Sequence, residues 1–110
     1  MRKYIIIFVV SLFLFLGSAN AITKAPVDVT NMSIDELLVA MERGYLTSEV
    51  LVNIYLERIE AYDEKFNAIN QINEKAIEQA KELDKERKLG KLRGRLHGIP
   101  ILVKCNIDVY

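Results

Sequence analysis

Ile101, Leu102 and Val103 form an apolar run that no polar residue interrupts, entered through Gly98-Ile99-Pro100 and closed by Lys104. Such a run reads as a strand buried on both faces, and a proline at its mouth needs no ladder donor. A buried strand demands partners, so this stretch constrains the rest of the chain more than any other. It also delivers a lysine at its end. Burial disfavours an ammonium, so Lys104 held there would be able to accept a proton. The competing reading is a strand-end lysine whose head reaches water.

Length sets the next bound. The 110 residues allow one small domain. Its opening is a leader by pattern: Arg2 and Lys3, the twelve apolar or small residues Ile5 to Leu16, then Gly17-Ser18-Ala19-Asn20-Ala21. A positive start, a short apolar middle and Ala-x-Ala describe a signal peptide over residues 1–21 and a secreted or cell-envelope protein. The alternative is an N-terminal membrane anchor, although a span needs about 20 apolar residues.

With the leader removed, 13 basic and 15 acidic residues remain, a balance that argues against a nucleic-acid partner. Cys105 is the one cysteine, so no internal disulfide forms. His97 and Cys105 are the only residues of their kinds. They make a poor metal set, and the Gly-x-Pro turn between them points them apart. No cofactor is expected. Residues 22–32, with Pro26 among them, read as an extended linker.

Residues 33–110 carry the folded elements. Ser33 and Glu36 form a capping box, with Met32 stapled to Leu37, and Ile34, Leu37, Leu38 and Met41 give the helix one apolar face. Gly44 ends it. Thr47 caps a second helix with Val50, Leu51, Ile54, Ile59 and Tyr62 on its buried side, and Asp63 to Phe66 reads as a polar turn. Asn67 to Ile72 is expected as a short strand or extended stretch. Asn73 would cap a third helix, Glu74 to Leu89, with Ala76, Ile77, Ala80 and Leu83 as its stripe and Gly90 as its stop. Gly90 to Gly98 then crosses into the Pro100 strand. It lacks the Gly-Lys-Ser/Thr ending of a phosphate loop.

This order resembles the opening of the amidase signature family, the serine amidases that hydrolyse carboxamides. The matching residues are Ser33 to Leu37, Gly44 to Ser48, Tyr55 to Ile59, Tyr62-Asp63, Leu83-Asp84 and above all Gly94 to Lys104. The resemblance implies an α/β fold: the N-terminal fragment of an α/β/α sandwich, with a helix hairpin, a short strand, a helix and a buried strand. It is mostly helical over the residues given.

The resemblance also implies a triad of a lysine, a serine in a cis peptide and a nucleophilic serine, acting on a small-molecule amide substrate. Lys104 matches the proton-accepting lysine. Both serines and the oxyanion segment lie further along the chain in that family. Ser11, Ser18, Ser33 and Ser48 are the serines present. The first two belong to the leader and the others begin helices, so the chain alone is expected to be inactive. Cys105 stands where the family usually has Asp. Two alternatives stand beside an N-terminal portion of an exported amidase: a truncated remnant without activity, and a small exported binding module. Self-association through an exposed strand edge is expected.

Export predicts cleavage after Ala21. Intact-mass analysis of secreted protein should find Ile22 as the first residue, and a mass retaining Met1 to Ala21 would favour the anchor.

Overall fold

The computed structural model describes residues 27–107. Three helices carry them: α1, Ile34–Glu42; α2, Ser48–Phe66; and α3, Ala76–Lys88. The start of α1 is the expected capping box. The Ser33 backbone N–H donates to Glu36 Oε2 at 2.7 Å, and Glu36 N–H donates to Ser33 Oγ at 3.3 Å. The Ser33 N–H and, at 2.8 Å, the Ser33 hydroxyl both donate to Oε2 and hold the Glu36 carboxyl below its ordinary value.

Both α1 and α3 end in a pair of bonds that closes over a left-handed glycine. After α1, Gly44 N–H donates to Met41 O and Tyr45 N–H to Ala40 O; after α3, Gly90 N–H donates to Arg87 O and Lys91 N–H to Glu86 O. The two glycines have φ of +72° and +71°, a region that a side chain opposes.

Helix α2 runs past the turn expected at Asp63–Phe66, because nothing there forbids helical geometry. It stops at Asn67, which takes φ +48°, a conformation that asparagine tolerates. Asp63 Oδ1 then accepts from Ala68 N–H and Ile69 N–H, so the acid read as a turn residue secures the helix exit. Helix α3 begins two residues late: Asn73 Oδ1 accepts from Lys75 N–H and forms the turn that precedes the helix.

The core lies between α1, the start of α2 and the entry segment. Val29, Leu37, Met41, Leu46 and Leu51 form one buried cluster, with Val27, Met32, Ala40, Ile54 and Ile99 packed against it. Val29 falls in the expected linker, and Leu46 between the stop of the first helix and the cap of the second. Their burial shows that the residues just before α1 and α2 are core, not tether. Ile34, Val50 and Tyr62 lie largely exposed, so the buried faces are narrower than the apolar stripes. Helix α3 packs on α2, and Ala80 is the buried residue of its stripe.

The mixed α/β/α expectation fails on the described residues, which contain helices and no strand. Asn67 to Ile72 is irregular. Ile101 to Val103 is non-helical but pairs with nothing, and Ile101 and Leu102 are 70% and 78% exposed. The physical reason is that a strand is not a local object: its hydrogen bonds belong to a neighbour. Three helices offer none. The strand edge invoked for self-association is therefore also absent among the described residues. No described helix is long and apolar enough to cross a membrane; the leader read over residues 1–21 lies outside the described residues.

This difference can be measured. Leu51→Ala, at a fully buried site, should cost about 2–5 kcal/mol, whereas Leu102→Ala should stay within about 0.5 kcal/mol. Urea midpoints of the two variants check it, and equal losses would mean that Leu102 is packed.

Candidate functional site

The stretch that carries Lys104 leaves a joint where α2, α3 and the loop 90–98 meet. The joint begins with an unmet need. At the start of α2, Thr47 Oγ1 accepts from Val50 N–H, which serves one of the free N–H groups of the first turn. Two further N–H groups are left pointing out of the helix. Asp84 of α3 takes both: Ser48 N–H donates to Oδ1 at 2.7 Å and Glu49 N–H to Oδ2 at 3.0 Å. A carboxylate suits the positive end of the helix dipole.

The loop is fastened to α3 by His97, which is buried. Arg93 N–H donates to its Nδ1 at 3.1 Å, and Nε2 lies 2.8 Å from Leu83 O. A backbone N–H only donates and a carbonyl only accepts. The ring is therefore neutral, unprotonated at Nδ1 and protonated at Nε2. Arg87 adds a third fastening, donating from Nη2 to His97 O at 2.6 Å and contacting Met41 Sδ at 3.6 Å. Outside the joint, Glu86 holds Arg93 by two bonds of 2.6 and 2.7 Å. That pairing lowers the Glu86 carboxyl and raises the Arg93 guanidinium from their ordinary values. Arg95 reaches Asp35 of α1 at 3.0 Å on the open surface, where such a pair contributes little.

Gly98 completes the joint. Its φ is +83°, and a Cβ there would collide with Ser48 Oγ. Ser48 is fully buried, and neither its Oγ nor Arg87 Nε has a hydrogen-bond partner among the described residues. The loop thus packs against α2 closely enough to leave a hydroxyl unsatisfied.

Beyond Gly98, Ile99 and Pro100 are half-buried and Ile101 to Ile107 are exposed. Lys104 begins a turn, with its carbonyl accepting from Ile107 N–H at 3.0 Å. The burial that would favour a neutral amine is not supplied by the described residues. Cys105 is exposed, and the ring nitrogens of His97 are already engaged, so the two do not form a nucleophile–base pair. Ser33 is committed to its cap and Ser48 is sealed.

Sequence reasoning singled out Lys104 and missed the joint. Asp84 enters the sequence reading in the Leu83-Asp84 match, with no structural role. No local signal pointed to it: every helix start leaves N–H groups without an intrahelical acceptor, and the sequence near Thr47 does not say which distant residue serves them.

Gly98→Ala should destabilise by about 1–3 kcal/mol, through the left-handed backbone and the blocked space. Ser48→Ala should be within about 0.5 kcal/mol of neutral, because its hydroxyl is unpaired, and should recover part of the Gly98→Ala loss. Thermal melts of the two singles and the double test this; strict additivity would deny the contact.

Comparison with known proteins places these elements. The family model described as Amidase matches residues 50–110. A provisionally named amidase of Arthroderma benhamiae is 37% identical over 71% of this chain and 14% of its own length. A likewise provisionally named amidase of Schizosaccharomyces pombe is 42% identical over 73% of this chain and 14% of its own length. Among solved structures, the native peptide amidase of Stenotrophomonas maltophilia superposes with a TM-score of 0.73 at 39% identity, covering 74% of this chain and 18% of that one. The chain thus spans about 14% of the length of these curated relatives.

Proposed function

This chain belongs to the amidase family, and from that premise we propose that it is the N-terminal portion of an exported amidase that hydrolyses a carboxamide C–N bond. Lys104 is the proton acceptor in this reading. The observation that carries it is the block Leu96 to Lys104, which lies inside the matched residues and leaves the joint at a fixed point, Gly98.

Lys104 draws the proton of a nucleophilic serine through a bridging serine, and the nucleophile adds to the amide carbonyl. Backbone N–H groups hold the oxyanion that forms, and the amine leaves with a proton returned along the same relay; water then attacks the acyl-serine, gives its proton to the relay and releases the carboxylic acid and the free serine. The two serines and the oxyanion donors come from polypeptide outside the described residues. That polypeptide also buries Ile101 to Val103 and withdraws Lys104 from water, giving the amine the environment it lacks in the isolated fragment. On this reading the 110 residues have no turnover of their own. The leader directs the product out of the cytoplasm.

A chimera tests the assignment. Residues 27–107 should replace the matching stretch of the Stenotrophomonas maltophilia peptide amidase, with amide hydrolysis as the readout. Lys104→Ala should lower kcat by about 10²- to 10⁴-fold, the range of a positioned general base. Cys105→Asp should raise it. Full activity in the Lys104→Ala chimera would defeat the proposal, and so would Lys104-dependent turnover by the 110-residue chain alone.

A further inference from the structure

His97 shares no hydrogen bond with Lys104 among the described residues, yet it stands where the path to Lys104 is decided. Four bonds converge on this residue from two elements, one of them from its own N–H to Gly94 O of the loop. Its ring spans Leu83 O of α3 and Arg93 N–H of the loop, and its own carbonyl accepts from Arg87 of α3. Gly98 follows directly, pressed on Ser48, and Ile99 enters the edge of the core. From there to Lys104 the chain makes no ladder bond among the described residues. Nothing downstream within them fixes the direction of Ile99 to Lys104; the direction is inherited from the joint.

We propose that His97 is a positioning residue: its imidazole, fixed as the Nε2–H tautomer between Leu83 O and Arg93 N–H, sets the course on which Ile99 to Lys104 leave the helices. The role rests on the reading of Lys104 as proton acceptor, but the geometry it asserts does not. Two features single out the ring over simple space-filling. Each nitrogen meets a backbone group of opposite character, so the other tautomer would set donor against donor and acceptor against acceptor, and a flipped ring would put C–H groups in place of both nitrogens. The charged groups around it, Glu86 and Arg87 of α3 and Arg93 of the loop, are engaged with partners other than the ring nitrogens. The ring therefore acts as a neutral two-ended link.

The two ends can be separated chemically. Asparagine carries an oxygen near the position of Nδ1 and can still accept from Arg93 N–H. Glutamine carries an N–H near the position of Nε2 and can still donate to Leu83 O, but leaves Arg93 without its acceptor. The experiment uses the uniformly ¹⁵N-labelled 110-residue chain and NMR. Ring nitrogen shifts of the wild type should report one tautomer, Nε2–H. His97→Ala should speed exchange of the Arg93 amide about tenfold, as loss of one hydrogen bond does, and shift the amide resonances of Ile99 to Lys104. Exchange at Leu51, in the core, should stay unchanged. His97→Asn should restore Arg93 protection and the Ile99 to Lys104 shifts, while His97→Gln should not restore Arg93.

An Nδ1–H or averaged ring in the wild type would overturn the proposal without any variant. Unmoved Ile99 to Lys104 resonances in His97→Ala would overturn it too, as would equal acceleration at Leu51, the mark of general destabilisation. None of these readouts involves turnover. Failure of Lys104 as a base in the chimera would leave them intact, so the two ideas fail separately.

Discussion

One carboxylate holds the arrangement together. Asp84 lies on α3 yet answers the two N–H groups that α2 presents at its first turn. Bonds of this kind, with a charged acceptor and a helix dipole behind the donors, are among the stronger contacts available at a partly open site. They also fix where α3 sits along α2, which packing alone leaves loosely specified. Once α3 is registered, Leu83 and Arg87 stand beside the loop, and His97 has something to grip. Remove the carboxylate and each later contact loses its reference point.

How much of this was legible from residues alone divides along physical lines. Features decided within four or five residues were readable: the Ser33–Glu36 box, the Thr47 cap, and the glycine stops at Gly44 and Gly90 all stand where the pattern put them. The end of α2 was not, because Asp63 to Phe66 has helical propensity as well as turn character, and a left-handed Asn67 settles the matter. Burial was read too broadly on the helices and too narrowly between them. Val29 and Leu46 have no periodic neighbours to announce them, so only the packed structure reveals them as core.

The largest error has the same root. Ile101 to Val103 has the composition of a central strand, and composition is what a pattern reads. Pairing is supplied by other segments, and the three helices described here supply none. Family membership is consistent with both facts, since the chain covers only 14% of the length of curated relatives. Lys104 is affected in the same way. Its neighbours in sequence are on the page, whereas the surroundings that would make it a base are not. The joint escaped notice for another reason: it joins positions 35 to 36 residues apart, and no local rule links Ser48 to Asp84.

The grip on Gly98 has a directional character. Ser48, Leu83, Arg87 and Arg93 all precede it in the chain. A polypeptide made, or threaded through a membrane, from its N-terminus has therefore released every anchor of this joint before Ile101 appears. The helices can close early, around contacts of modest sequence separation, so the apolar segment is already aimed when it appears.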